Sequence, residues 1–243
     1  MHAPFSTNTS SDQAGHDLAE SFFHPLAAHS YDLLVVDPPW PFKTWSQAGQ
    51  RKSASMHYRV MTLADIMALP IRQLLQDDGV VLLWATGALL DQAVAVMQAW
   101  GITFKTEIAW RKVTRNGKVR MGCGFWARTI HEPILVGTVG KPRKFVPVLP
   151  SCFDGIAREH SRKPDEFYRM ITERTPGLRR ADLFARERRE GWDVWGDEVE
   201  KFSPASSRAE RNTSLMRDAQ LELLGRGVSA AEHDATTETT DYR

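Results

Sequence analysis

The sequence predicts an α/β fold with a mostly parallel sheet and helices on both faces. Continuous apolar runs such as Tyr31–Val36 and Val80–Thr86 are typical of strands that are buried on both sides. Segments with helical spacing of apolar residues alternate with these runs, as in the crossover units of parallel sheets. The 243 residues, 42% of them hydrophobic, can bury one core of ordinary size. We therefore expect a single ordered domain over residues 31–200.

Each predicted element rests on a local signal. Thr62 is a good N-cap for a helix through Ala68, and Gly101 is a good C-cap for the helix before it. Pro164, followed by acids, begins a later helix that ends near residues 176–177. The other predicted elements are a turn at 77–79, strands over 102–110, 131–140 and 181–185, a mobile cationic loop over 111–124, and a closing segment near residue 200.

The two ends of the chain show no sustained period. We expect a mobile arm over residues 1–30 and a polar, disordered tail over 201–243. The apolar runs are too short to span a bilayer and the N-terminus lacks an apolar signal region, so we expect a cytoplasmic protein without membrane contact. Cys123 and Cys152 lack the paired spacing of a zinc site, which predicts free thiols and no metal. Nothing in the sequence indicates the oligomeric state.

Positive charge is concentrated in one part of the chain. The net charge is +1, but residues 101–150 contain ten Lys or Arg against two acids. Such a segment is either a solvated cationic surface or a groove for a nucleic-acid backbone, and we favour the groove. Trp45 and Trp126 could each be a stacking platform or part of the core. The candidate nucleic-acid-binding residues are Lys43, Arg51, Lys52, Arg111, Lys112, Arg115, Lys118, Arg120 and Arg128.

The first predicted strand ends in Asp37-Pro-Pro-Trp40, at the strand edge where open α/β sheets bind ligands. An exocyclic purine amine is a poor nucleophile because its lone pair is delocalised into the ring. Asp37 and the Pro38 carbonyl supply two acceptors for its hydrogens, and Trp40 offers a face for the base. Pro39 stiffens the turn, which fixes the acceptors before reaction. The alternative is a proline turn with Asp as a cap and Trp as core.

Taken together, the motifs resemble those of a known family, the adenine-N6 methyltransferases named for the seventy-kilodalton catalytic subunit of the eukaryotic mRNA adenosine methyltransferase. The resemblance is greatest to the bacterial and phage DNA-modifying members. It covers residues 31–200 and rests on DPPW, HYRVMT (57–62), QDDGVVLLWATG (76–87), IAWRK (108–112), SRKPDEFYRMI (161–171) and LFARERREGWDVWG (183–196).

The resemblance implies a Rossmann-like domain that uses S-adenosylmethionine. It places Asp37, Pro38, Pro39, Trp40 and Tyr58 at the site of transfer. It places Asp37, Lys163, Arg186, Asp197 and Glu198 in contact with the cofactor. The chain differs from the eukaryotic members in having Asp197-Glu198 instead of an amide pair, and Glu187-Arg-Arg-Glu190 instead of a loop that bears an Asn.

The function expected from this resemblance is methyl transfer to adenine N6 in DNA. The same reaction on RNA stays open, because cationic loops suit either backbone. A third alternative is a non-catalytic, nucleic-acid-binding partner subunit. An intact Asp37 and Trp40 argue against it, because degenerate members of the family tend to lose the acid or the aromatic residue of DPPW.

Overall fold

The computed structural model describes residues 22–41, 60–124, 126–142, 145, 147–159 and 162–202. The chain divides into two units after Val199, and the sheet and its helices belong to the first unit. The boundaries predicted at residues 30 and 200 stay predictions. No helix among the described residues is both long enough and apolar enough to cross a membrane.

The described residues form one seven-stranded sheet in the order β5-β3-β4-β2-β1-β6-β7. The strands are β1 Tyr31–Val36, β2 Leu75–Trp84, β3 Thr103–Val113, β4 His131–Val139, β5 Cys152–Ile156, β6 Arg180–Leu183 and β7 Asp193–Trp195. The helices with described bounds are α1 Leu63–Met67, α2 Ile71–Leu74, α3 Leu90–Ala99 and α4 Asp165–Arg174. Strand β4 is antiparallel to β2 and β3, and the remaining pairings are parallel. The predicted α/β class with a mostly parallel sheet is confirmed.

Helices cover both faces of the sheet, as predicted. On one face, α1, α2 and α3 pack against Leu34, Val36 and Leu83. On the other face, α4 packs against Val35 and Trp84. These residues alternate along the strands with those of the first face, because successive strand side chains point to opposite sides of the sheet. Burial on both sides explains why residues 33–36 of β1 and 80–84 of β2 are all apolar.

Local signals position the helices where the sequence predicts them. Thr62 and Asp65 form a reciprocal capping box at the start of α1. Helix α3 ends before Gly101, which has a φ of 73°. Helix α4 follows Pro164 and carries Asp165 and Glu166 in its first turn.

Two predictions about local structure are wrong, and one strand was not predicted. Residues 77–79 are part of β2 rather than a turn, and the β1 register shifts there, with Tyr31 opposite Leu75 but Leu33 opposite Val80. Strand β3 continues to Val113, into the predicted mobile loop, because it pairs with both β4 and β5. Strand β5 was assigned to no element from the sequence.

The direction of β4 positions the functional site. Parallel strands β1, β2 and β6 end at Val36, Trp84 and Leu183 on one edge of the sheet, which we call the carboxyl edge. An antiparallel neighbour begins where they end, so His131 and the start of β4 also lie on this edge.

Candidate active site

The turn after β1 is held by backbone hydrogen bonds. The Asp37 N–H donates to the Leu183 carbonyl at 3.3 Å, which ties the turn to β6. The Trp40 N–H donates to the Pro38 carbonyl at 2.8 Å, and the Met61 N–H donates to the Pro39 carbonyl at 3.0 Å. The two prolines have no N–H and a fixed φ, so the turn leaves the sheet in one direction. Asp37 is thereby held just beyond the end of β1.

Four charged side chains meet on the α4 face of the carboxyl edge. Strand alternation puts Asp37, Glu132 and Lys112 on the same face as Trp84 and Trp110. Lys163 reaches them from the residue before the Pro164 N-cap of α4, because a crossover helix begins at the edge where the strands end.

Asp37, Lys163, Glu132 and Lys112 are linked by ion pairs into one series, which we call the ion chain. Lys163 Nζ lies 3.1 Å from Asp37 Oδ1 and 3.1 Å from Glu132 Oε2. Glu132 also accepts a hydrogen bond from Lys112 Nζ through its other oxygen. Side-chain exposure ranges from 13% at Lys163 to 22% at Lys112, so each charge depends on its neighbours rather than on water.

Burial and neighbouring charges shift the pKa values of the ion-chain residues in different directions. Burial raises the pKa of Asp37, and Lys163 and Arg186 offset only part of that rise. Burial acts in the same direction on Glu132, but Lys163 and Lys112 outweigh it and lower its pKa from 4.5 to about 2. Burial opposes charge on Lys163, yet the carboxylates of Asp37 and Glu132 raise its pKa overall. Lys163 and Glu132 are therefore charged at neutral pH, while the pKa of the Asp37 carboxyl is raised because burial outweighs its neighbouring cations.

The position of Lys163 is fixed from several sides. Its ammonium group lies 4.6 Å from the centre of the Trp84 ring, a cation–π contact. Arg158 donates to the Lys163 carbonyl at 2.7 Å and binds both oxygens of Asp165. Arg158 thus ties the end of β5 to the start of α4, and Lys163 lies between them.

At the end of β2, two buried polar atoms lack hydrogen-bond partners among the described residues. They are Trp84 Nε1 and Thr86 Oγ1, at and just beyond the end of β2. A buried polar group without a partner is costly, so such atoms mark a place where a ligand or water supplies the missing bond. They lie on the strand that adjoins Asp37 through the β1–β2 pairing.

The predicted cofactor residues beyond β6 are partly brought together. Arg186 Nε lies 3.2 Å from Glu198 Oε2, and its charge acts on Asp37. Asp197 is exposed. Arg186 and Glu198 thus stand beside the ion chain, while Asp197 lies at the surface.

Two of the predicted site residues make contacts inside the protein. Trp40 is only 6% exposed, and its indole Nε1 donates to the Trp84 carbonyl at 2.9 Å. It therefore anchors the turn and offers little face for a base to stack on. Lys112 turns into the site to pair with Glu132, and its contact with a nucleic-acid backbone stays a prediction.

The remaining predicted site residues fall into three groups. Lys43, Arg51, Lys52 and Tyr58 lie outside the described residues. Arg111 makes a two-pronged salt bridge with Asp154 on β5. We call residues 114–130, which lie between β3 and β4, the β3–β4 segment. Its exposed cations are Arg115, Lys118, Arg120 and Arg128.

Sequence reasoning missed Glu132, Thr86 and Asp182. Asp182 lies on β6, is 3% exposed, and shares a hydrogen bond with Tyr168 on α4. An acid within an apolar strand was the available signal for Asp182. Glu132 required knowing that β4 runs antiparallel, because only that direction brings its first residues to the carboxyl edge.

Residues 31–198 match the family model described as MT-A70. The chain belongs to the MT-A70 family. This match spans the whole sheet, from the first residue of β1 to beyond β7. It confirms the resemblance inferred from the motifs, including the relation to bacterial members, since a type II methyltransferase is among the relatives.

Named relatives differ in their class and in how much of their length this chain spans. The chain is 33% identical over 219 residues to the N6-methyladenosine RNA methyltransferase MTA1 of Pyricularia oryzae, covering 82% of this chain and 53% of the relative. It is 28% identical over 201 residues to the type II methyltransferase M.MunI of a Mycoplasma species, covering 74% and 82%. It is 31% identical over 176 residues to human METTL3, an N(6)-adenosine-methyltransferase catalytic subunit, covering 70% and 28%. The chain thus spans about half of the fungal relative and about a quarter of the human one.

MT-A70 methyltransferases use S-adenosylmethionine, and the residues present fit its amino-acid end. That end carries an ammonium group and a carboxylate, and the site offers an acidic and a basic partner in Asp37 and Lys163. The unpartnered Thr86 Oγ1 adds a hydrogen-bonding group at the same edge. No group of His, Cys, Asp and Glu that could hold a metal occurs among the described residues.

Proposed function

We propose that this MT-A70 protein transfers a methyl group from S-adenosylmethionine to the exocyclic N6 of adenine in DNA. The observation that carries the proposal is Asp37, held on a rigid proline turn at the carboxyl edge with Lys163 at 3.1 Å. With Asp37 beside Lys163, the ammonium group and the carboxylate of the cofactor each have a partner of opposite charge. The amine of the acceptor has the Asp37 carboxylate to bind.

The turn supplies the two acceptors that the chemistry needs. The Asp37 carboxylate and the Pro38 carbonyl accept the two hydrogens of the amine, which draws the nitrogen lone pair out of the ring. Once the nitrogen carries the methyl group, it gives up one of these two protons, through the Asp37 carboxylate to water. The Pro38 carbonyl already accepts one bond from the Trp40 N–H, and its second lone pair is available for the amine. Because the turn is fixed by hydrogen bonds, these acceptors need no reorganisation during the reaction.

The remaining residues bind and orient. When bound, S-adenosylmethionine supplies an activated methyl group on its sulfonium. Lys163 would hold its carboxylate and Asp37 its ammonium group, while Arg186, with Glu198 and Asp197 nearby in sequence, would hold the nucleoside part. Tyr58 is proposed to lie close to the site of transfer. The target adenine must be single-stranded or leave its helix stack to reach Asp37.

We favour DNA as the acceptor because of how much of each relative's length this chain matches. M.MunI, a type II methyltransferase, resembles this chain over 82% of its own length, whereas MTA1 and METTL3 extend far beyond the match. RNA is the second candidate, since the RNA methyltransferase MTA1 shares 33% identity. The catalytic chemistry is the same in both cases.

The test is transfer of labelled methyl to adenine in single-stranded DNA, duplex DNA and RNA, with adenine-free oligonucleotides as controls. Asp37→Ala should lower transfer by roughly 100-fold or more while cofactor binding, measured by calorimetry, is only weakened. Asp154→Ala is the matched control, because Asp154 is an exposed carboxylate that pairs with Arg111 at the surface.

The outcomes separate the candidates. Label in DNA that disappears in Asp37→Ala but persists in Asp154→Ala supports the proposal. Label confined to RNA keeps the mechanism and replaces the acceptor. Full activity of Asp37→Ala contradicts the mechanism, and a wild-type chain that neither transfers methyl nor binds S-adenosylmethionine would be a non-catalytic subunit.

A further inference from the structure

The β3–β4 segment projects from the carboxyl edge, the same edge that carries Asp37. It leaves β3 after Val113 and returns at His131, which pairs directly with Arg111. A tight turn begins it, in which the Gly117 N–H donates to the Thr114 carbonyl at 2.9 Å and Gly117 has a φ of 72°. Val119 then bridges back to Val113. The start of the segment is therefore an ordered continuation of the sheet.

The tip of the segment is a closed loop that depends on two glycines. The Gly122 N–H donates to the Thr129 carbonyl at 2.6 Å, and the Thr129 hydroxyl donates to the Cys123 carbonyl at 3.0 Å. A Cβ on Gly124 would lie 1.8 Å from the Ala127 carbonyl oxygen, and one on Gly122 would lie 2.5 Å from Thr129 Oγ1. Such a close approach leaves room only for glycine at these positions.

Trp126 is presented at this tip with 95% of its surface exposed. The indoles of Trp40, Trp84, Trp100, Trp110 and Trp192 are each no more than 8% exposed. The large flat ring is therefore accessible at the surface, where it can stack on another ring. The sequence left open whether Trp126 belongs to the core, and its exposure excludes that alternative.

The charges of the segment are all positive. Residues 114–130 contain no acid. Arg120 donates to the Ala157 carbonyl and Arg128 to the Gly122 carbonyl, so these guanidinium groups are oriented without being neutralised. Within the part of the chain that the structure describes, Arg115, Lys118, Arg120 and Arg128 have no carboxylate at salt-bridge distance.

We propose that Trp126 stacks on an unpaired base that flanks the target adenine, while the cations of the β3–β4 segment bind the adjoining phosphates. This inference rests on the proposed function and specifies how the substrate strand is held. Stacking on an aromatic ring combined with a cationic track is the usual way to bind single strands, and it tolerates any base. A second copy of the chain is a poorer occupant, because two acid-free cationic segments repel each other.

Stacking has a consequence for the substrate. A flanking base that lies on Trp126 is not paired, so the strand is open beside the adenine as well as at it. Duplex acceptors must then be opened over more than one nucleotide, and single-stranded acceptors are preferred. The segment positions the strand and takes no part in the chemistry.

The first experiment measures binding of a fluorescent single-stranded DNA oligonucleotide that contains one adenine, by anisotropy, with its RNA equivalent. Trp126→Ala should weaken binding by roughly 10-fold to 100-fold, and Trp126→Phe should restore most of the affinity because it keeps a ring face. Phe104→Ala is the matched control, since Phe104 is an aromatic residue with 40% exposure near the start of β3, at the opposite edge.

The second experiment removes single bases from the oligonucleotide on either side of the adenine. One abasic position should weaken binding to the wild-type chain about as much as Trp126→Ala does, and should have little further effect on that variant. If the loss of affinity from the abasic position and the loss from Trp126→Ala add in full, the inference is overturned, because the base and Trp126 would then not share one contact.

Failure of this inference and failure of the proposed function give different results. Normal methyl transfer and normal affinity in Trp126→Ala overturn the stacking role alone. Binding through Trp126 without methyl transfer overturns the proposed function alone. A change in sedimentation with no change in oligonucleotide affinity would show that Trp126 covers a second copy, and a wild-type chain that binds no oligonucleotide would also overturn the inference.

Discussion

The cations of the ion chain and the cations of the β3–β4 segment belong to the same edge of the sheet but differ in their partners. Lys163 lies 3.1 Å from each of two carboxylates and is 13% exposed. Arg120 and Arg128 are exposed and contact backbone carbonyls. In the first region the positive charge is neutralised inside the protein, and in the second it is available to an external anion.

This difference gives the two sets of cations different roles: a buried cation orients its neighbours, and an exposed cation attracts an external anion. A cation between buried carboxylates cannot be removed without leaving uncompensated charge, so it fixes the geometry of Asp37 and Glu132. A cation oriented by a carbonyl keeps its full charge and its remaining donors. The first kind of residue should therefore control stability and catalysis, and the second should control the salt dependence of binding.

The largest expected effect comes from replacing a cation of the buried region. Lys163→Met leaves Asp37 and Glu132 without their shared partner and should lower the free energy of unfolding by about 3–5 kcal/mol. Methyl transfer should fall with it, since Asp37 loses its orientation. Urea unfolding and transfer assays measure both quantities. Arg120→Met removes a cation from the segment and is the matched control, for which we expect little change in stability; equal losses in the two variants would contradict the comparison.

A second effect, of similar size, is a pH dependence from Asp182. Burial raises the pKa of Asp182 from 3.8 to about 7, although Arg189 and the hydrogen bond from Tyr168 oppose the rise. The native state then holds a proton that the unfolded chain releases, so this group lowers stability as pH rises from about 4 to about 7. Each unit of pKa difference corresponds to about 1.4 kcal/mol.

Two variants test the origin of that slope in urea unfolding at a series of pH values. Asp182→Asn should remove the decline between pH 4 and 7. Tyr168→Phe deletes a hydrogen bond to the carboxylate and should extend the decline to higher pH. An unchanged slope in Asp182→Asn would assign the pH dependence to another group.

The smallest expected effects concern single charges on the segment. Replacing Arg115, Lys118, Arg120 or Arg128 by Gln should each lower the salt dependence of single-stranded DNA binding by about 0.7 in the log–log slope. Arg111→Gln is the matched control, because Asp154 already neutralises Arg111. Titration of binding at several salt concentrations measures the slope. A slope that falls as much in Arg111→Gln would show that partners do not decide which cations bind.

Elements with local signals were predictable from the sequence. The apolar run of β1, the capping box of α1 and the Pro164 start of α4 depend on residues within a few positions of one another. For the same reason the position of Asp37 at a strand end was predictable. The resemblance implies that Asp37 and Lys163 both contact the cofactor, but their ion pair joins distant parts of the chain and was not predicted.

Features set by long-range pairing were not predictable. Nothing near β4 specifies that it runs antiparallel, and with that direction unknown Glu132 was counted only as an acid in a basic segment. Lys112 was assigned to the nucleic-acid surface because its neighbours are basic, although strand alternation turns it inward. Trp40 was expected to face a base, but the carbonyl it binds belongs to Trp84 on the next strand.

The reversal at β4 also makes the β3–β4 segment a modular insert. Its two ends belong to neighbouring strands that are hydrogen-bonded to each other, so the sheet closes beneath it whatever its length. Residues in the insert can be exchanged while Asp37, Lys163 and Glu132 keep their supports. The proposed reaction centre can in this way be retained while the segment proposed to bind the strand is replaced, which gives such a protein a route to new acceptors without rebuilding its chemistry.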